Sequence, residues 1–109
     1  MTVKEIMERL ELKIAAGEGG LEKEIQGVYI CDLLSWVMSH AQKGNVWITV
    51  QTNINIVAVA VLTEVGCIII PEEMEIDPQT IEKANKENIP IFTSALSAYE
   101  LACKLGTMI

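Results

Sequence analysis

The sequence predicts a three-layer α/β/α domain on a mostly parallel central sheet of four to five strands. Three observations carry that expectation. After residue 27, strand-like and helix-like segments alternate four times in succession, the rhythm of a parallel sheet with crossover helices. The strand-like segments are apolar almost throughout, as strands are when helices cover both faces. Half of the 109 residues are hydrophobic, which suits one core and one domain over residues 1–109 and leaves no room for a second.

Each element follows from local chemistry. Thr2 and Glu5 form a T-x-x-E capping box that opens a helix to about Leu10, with Val3, Ile6, Met7 and Leu10 on one face. Leu12 to Ala15 alternates as a short strand whose place in the sheet stays open, and Gly17-Glu18-Gly19-Gly20 breaks it in a tight turn. Val28 to Cys31 reads as a buried strand. Asp32 stands at a helix N-cap position before a helix from Leu33 to Lys43, whose apolar face is Leu33, Trp36, Val37, His40 and Ala41 and whose stop is Gly44.

Val46 to Val50 is the next strand, and Gln51-Thr52-Asn53 is a polar break. Ile54 to Thr63 is ambiguous because Val and Ile favour strands. It is read as a buried helix stopped by Gly66, and the span from Gln51 to Gly66 is long enough for a parallel crossover. Cys67 to Ile70 is a strand ended by Pro71. Asp77-Pro78 starts a helix to about Glu87, and Ile89 to Phe92 is the next strand. Thr93-Ser94 closes that strand, and Ser97 with Glu100 caps a last helix to about Leu105.

Composition excludes several function classes. Eight basic residues against 15 acidic give a net charge of −7, and no basic stripe exists to neutralise a nucleic-acid backbone or an anionic membrane. No apolar run approaches the roughly 20 residues of a membrane helix. Three widely spaced cysteines, Cys31, Cys67 and Cys103, make neither a disulfide framework nor a CxxC metal motif. A reduced, cytoplasmic protein without metal or cofactor is expected.

In open parallel sheets ligands bind beyond the carboxyl ends of the strands. The polar residues there are Asp32; Gln51, Thr52 and Asn53 with Asn55; Glu72 with Glu73; and Thr93 with Ser94. They offer amides, hydroxyls and carboxylates without a nearby cation, and this rim suits a small polar ligand. The competing reading is that Asp32, Asn53 and Ser94 only cap helices. There is no GxGxxG or GxxxxGK[ST] phosphate loop. The cluster of Glu72, Glu73, Glu75 and Asp77 lacks the spacing of a calcium loop and reads as a solvated acidic loop. His40 reads as a packed or boundary residue, Cys31 as a small buried one, and Trp36 and Trp47 as core or interface. Only Cys31, Asp32 and His40 are conceivable catalytic actors, and they form no complete constellation.

From about Leu10 to Leu105 the chain resembles the DRTGG domain family. The resemblance rests on Gly19-Gly20-Leu21-Glu22-Lys23-Glu24-Ile25-Gln26-Gly27-Val28-Tyr29-Ile30-Cys31-Asp32, then Val46-Trp47-Ile48-Thr49-Val50, then Ile89-Pro90-Ile91-Phe92-Thr93. Such domains are similar to the amino-terminal domain of bacterial HPr kinase/phosphorylase and occur beside CBS domains in regulated pyrophosphatases. The resemblance implies an α/β/α fold and a regulatory or assembly role, without the kinase P-loop. The signature itself is degenerate. Where an Asp-Arg pair would follow the third strand stands Thr52-Asn53-Ile54-Asn55, and where Thr-Gly-Gly would follow the fourth stands Pro71-Glu72-Glu73. Loss of the Arg removes an anion contact, and Glu in place of Gly repels phosphate.

The expected function is a non-catalytic, stand-alone regulatory or interaction domain, a homodimer on account of the apolar excess (mean hydropathy +0.33). The resemblance implies a redox enzyme or a signalling kinase as protein partner. The alternative is a small-ligand sensor, for a nucleotide or metabolite, at the carboxyl edge of the sheet.

Overall fold

The computed structural model describes all residues 1–109. Its helices are α1 (Val3–Arg9), α2 (Leu34–His40), α3 (Asn55–Thr63), α4 (Pro78–Glu87) and α5 (Ala98–Gly106). Its strands are β1 (Lys13–Ala16), β2 (Gly27–Ile30), β3 (Asn45–Ile48), β4 (Cys67–Ile70) and β5 (Ile91–Thr93). They form one five-stranded sheet in the order β1-β5-β4-β3-β2. The strands β2 to β5 run parallel, and β1 joins the far edge antiparallel to β5.

The strand side chains alternate between two apolar layers, as the pleat requires. Trp47, Ile68, Ile70 and Ile91 point to the face covered by α2, α3 and α4, where Val37, Ile56, Val57, Ala60 and Ala84 complete the core. Val46, Ile48, Cys67, Ile69 and Phe92 point to the opposite face, under Val3 and Ile6 of α1 and Leu101 and Leu105 of α5. Hence the expected three layers form, with every residue of β3 and β4 buried. The indole N–H of Trp47 is satisfied by the Cys31 carbonyl at 2.9 Å, so the largest core side chain leaves no polar group unpaired.

Both capping boxes form, Thr2 with Glu5 and Ser97 with Glu100. The ambiguous apolar segment is helical, with Ile56, Val57, Val59 and Ala60 buried. Its C-cap differs from expectation. Glu64 takes the left-handed conformation at φ 57°, while Gly66 lies where a Cβ would run into the Ile25 side chain. Gly17 is required on both counts: its φ is +78°, and a Cβ would collide with the Ile89 carbonyl. Its N–H also donates to Asn85 Oδ1 at 2.7 Å, which locks the first turn onto α4.

Helix α2 departs most from the sequence reading. It ends at His40, because Ala41 is extended at φ −66° and ψ 147°, so Gly44 belongs to the following turn instead of stopping the helix. Its N-cap is Leu33, without a side-chain bond. Of the apolar face expected to pack, only Val37 is fully buried, while Leu33 and Trp36 are exposed. His40 is exposed too, stacked on Trp36 with ring centroids 4.1 Å apart. The physical reason is position: α2 flanks β2, an outer strand, so only one narrow line of the helix meets the sheet. For the same reason β2 is partly exposed rather than buried.

Full burial pushes the Cys67 thiol up to about 12, with Lys23 nearby pulling slightly the other way. Between the ordinary value of 9.0 and the native one, the unfolded chain has lost this proton and the native chain has kept it. Stability therefore falls as pH rises above about 9, by up to about 1.4 kcal/mol per pH unit from this one group. Denaturant titrations from pH 8 to pH 11 are expected to show that decline, shallower in Cys67→Ala. Iodoacetamide is expected to modify exposed Cys103 in the native protein and buried Cys67 only on unfolding.

Candidate functional site

Because β2 to β5 are parallel, their carboxyl ends share one edge of the sheet, and the predicted rim residues lie there in two groups. The first joins β2 to β3. Asp32 Oδ1 accepts from the Thr49 hydroxyl at 2.8 Å and from the Val50 N–H at 2.9 Å. Gln51 Nε2 donates to the Asp32 carbonyl at 3.0 Å, and Gln51 Oε1 accepts from Asn53 Nδ2 at 3.1 Å. Asn53 Oδ1 accepts from the Asn55 N–H at 2.9 Å, and the Thr52 carbonyl accepts from the Thr80 hydroxyl at 2.8 Å.

This chain of bonds decides between the two readings of Asp32. It does not cap α2; it braces the end of β3 against the end of β2. Asn53 is not the N-cap of α3 either: that position is Ile54, without a side-chain bond, and Asn53 precedes it, closing a local turn through the Asn55 N–H. Gln51 belongs to the rim segment expected from sequence, whereas Thr49 was not singled out. The available signal was a threonine in an otherwise apolar strand, since Thr49 is only 1% exposed and a buried hydroxyl needs a partner.

The second group joins β4 to β5. The Glu72 N–H donates to the Leu96 carbonyl at 3.0 Å, and the Glu73 N–H donates to the Ser94 carbonyl at 2.8 Å. Ser94 Oγ accepts from the Leu96 N–H at 3.1 Å, so it shapes its own loop instead of capping α5, whose cap is Ser97. Glu72 and Glu73 both adopt left-handed backbone, at φ 61° and 52°. These are the two positions where the resemblance places glycine, and glycine is the residue that adopts this conformation without strain. The loop thus keeps the backbone that the glycines serve while carrying two carboxylates instead.

Thr93, Ser94 and Glu73 open on a cleft of about 1080 Å³ beside the β1–β5 edge. Asp32, Thr52, Asn53, Asn55 and Glu72 line none of the clefts, so the rim does not converge on one pocket. The cleft also corrects the expectation of a rim without cations. Arg9, Lys13 and Lys104 line it, brought there because Lys13 pairs opposite Thr93 in the antiparallel register.

The conceivable catalytic actors do not assemble. His40 Nδ1 lies 2.8 Å from Ser39 Oγ and 3.0 Å from the Trp36 carbonyl, both on its own helix. The Cys31 thiol faces the Leu33 carbonyl at 3.8 Å. No group of three or more His, Cys, Asp or Glu side chains is placed to hold a metal ion.

Two stability outcomes follow. Asp32→Ala removes two hydrogen bonds from an exposed carboxylate and is expected to destabilise by about 1 kcal/mol, read as a fall in Tm of about 5 °C. Glu72→Gly and Glu73→Gly relieve left-handed strain and are each expected to raise stability by up to about 1 kcal/mol in the same thermal melts, with an unchanged circular dichroism spectrum.

The family described as DRTGG domain matches residues 5–108. The search of curated proteins finds no match. Among solved structures, the CBS and DRTGG domains of the regulatory region of Clostridium perfringens pyrophosphatase, complexed with the activator diadenosine tetraphosphate, superpose with a TM-score of 0.73. That likeness, at 16% identity, covers 94% of this chain and 44% of the other. This chain therefore spans less than half of that neighbour's length, and the similarity is one of fold. With nearly every residue matched and the α/β/α architecture in place, the chain belongs to the DRTGG domain family.

Proposed function

We propose that this chain is a non-catalytic regulatory domain that acts by pairing with a second copy of itself along β2 and α2. Family membership and the regulatory setting of the pyrophosphatase neighbour support the regulatory part. The observation that carries the pairing is the distribution of charge. Residues 27–41 hold a single charged side chain, Asp32, in a chain of 15 acidic and 8 basic residues. That same stretch contains the open edge strand β2 and the outward line of α2, with Leu33 62% and Trp36 52% exposed.

A chain of net charge −7 repels its own copies, and the repulsion is weakest where the charges are missing. An edge strand offers unpaired N–H and C=O groups that a like strand satisfies across a two-fold axis, the self-complementary arrangement most homodimers use. Leu33, Trp36 and Met38 would then meet their counterparts beside the joined sheets. A protein partner, of the redox-enzyme or signalling-kinase kind that the resemblance implies, is the competing occupant of this face.

A second reading is supported by the open cleft at Thr93 and Ser94: the domain senses a small ligand at the carboxyl edge. The pyrophosphatase region takes a nucleotide activator, which makes ligand sensing a fitting use of this fold.

Sedimentation velocity across a dilution series tests the pairing. A species of about twice the 12.0 kDa chain mass is expected for the native protein. Trp36→Asp with Leu33→Asp is expected to give the single chain with an unchanged circular dichroism spectrum, since both side chains are exposed, and a melting temperature that no longer depends on concentration. A native protein that sediments as one chain at all concentrations overturns self-pairing and leaves the face to a different protein.

A further inference from the structure

The cleft beside β1 and β5 holds a charge arrangement that the fold does not require. The chain has eight basic residues, and three of them, Arg9, Lys13 and Lys104, line this one cavity. The ion pairs of the molecule join Met1 to Glu24, Lys43 to Glu64 and Lys83 to Glu87. None of the three cleft cations has a carboxylate within ion-pair distance, although acidic residues outnumber basic ones nearly two to one. Arg9 suits the carboxyl-terminal turn of α1 and Lys104 that of α5. Helix-end placement accounts for each of them separately, but not for their meeting with Lys13 of β1 around one cavity.

The opposite charges are present too. Glu11, Glu73 and Glu75 line the same cleft. The apolar part of the wall comes from Ala15, Ile76, Ile81 and Leu96, and hydroxyls from Thr93 and Ser94. The hydrogen bonds of Glu72 and Glu73 to the Leu96 and Ser94 carbonyls tie the β4–α4 loop to the β5–α5 loop. The walls are therefore set before any ligand arrives.

We infer that this cleft binds a small phosphate ester with a hydroxyl-bearing body, of the sugar-phosphate or nucleotide type. The phosphate would lie among Arg9, Lys13 and Lys104, whose three positive charges offset the repulsion Glu73 exerts on it, with the fork of Arg9 giving paired contacts. Hydroxyl groups of the ligand would donate to the cleft carboxylates, and an apolar ring, where present, would rest on the Ile76 and Ile81 side. A cavity of about 1080 Å³ is ample for a ligand of that size. This deepens the ligand-sensing reading, names a place for it, and is independent of self-pairing at β2.

Isothermal titration of the full chain at low salt with ADP, ribose 5-phosphate and pyrophosphate tests it. ADP and ribose 5-phosphate are expected to bind, and pyrophosphate, which lacks the body, to bind less tightly. Arg9→Gln with Lys104→Gln is expected to weaken ADP about tenfold or more. Glu75→Gln is expected to weaken ribose 5-phosphate and leave pyrophosphate unchanged. Lys4→Gln, which removes a basic charge elsewhere on α1, controls for net charge and is expected to change nothing. All these side chains are exposed, so thermal melts serve to confirm that each variant folds. Equal loss in Lys4→Gln overturns the site, as does pyrophosphate binding as tightly as ADP. Binding untouched by the Arg9 and Lys104 changes overturns this location while sparing ligand sensing elsewhere. Absence of binding by all three probes overturns both.

Discussion

No residue of β3 or β4 is exposed, and that single constraint governs the rest of the molecule. Strands apolar on both sides need a cover on both sides, since burial is worth about 25 cal/mol per Å² of apolar surface and an open face would forfeit it. Helices α2, α3 and α4 cover one face, and α1 with α5 the other. Once the centre is sealed in this way, the molecule can meet other molecules only at its periphery. The two outer strands and the ends of the strands carry whatever chemistry there is. Their characters differ: β2 and α2 present an almost uncharged apolar border, while the β1–β5 border is crowded with charges of both signs.

How far the sequence revealed this depended on whether a signal was local. Cys67–Ile70 was readable to the residue, because an unbroken apolar run between Gly66 and Pro71 leaves one interpretation. Both capping boxes were readable because donor and acceptor lie three positions apart in the chain. Ile54 to Thr63 was settled by length, since a parallel crossover has to be bridged. By contrast, the outward face of α2 was not legible. Leu33, Trp36 and His40 have the spacing of a packed stripe, and only the place of β2 at the border of the sheet turns that stripe toward water.

The site was less legible than the fold for the same reason. The carboxyl-edge rule puts Asp32, Asn53, Glu73 and Ser94 after strands that run parallel and so end together. It did not show that Asp32 and Asn53 are linked through Gln51, nor that Thr93 shares a cleft with three cations. Those cations come from α1, β1 and α5, and only the pairing of β1 with β5 unites them. Degeneracy of the family signature was visible in sequence. Persistence of its left-handed backbone at Glu72 and Glu73 was not, because φ is invisible in a residue name.

The antiparallel union of β1 with β5 carries a further consequence for how the protein is made. Lys13 is bonded into the sheet opposite Thr93, so the first strand of this sheet has no ladder partner until its fifth has been synthesised. During synthesis the segment around Ile14 must wait, while the β2-to-β4 unit can already assemble. Long-range closures of this kind slow folding. Strand β1 thus joins the sheet last, and nascent chains that stop short of β5 leave it unpaired and open to proteolysis.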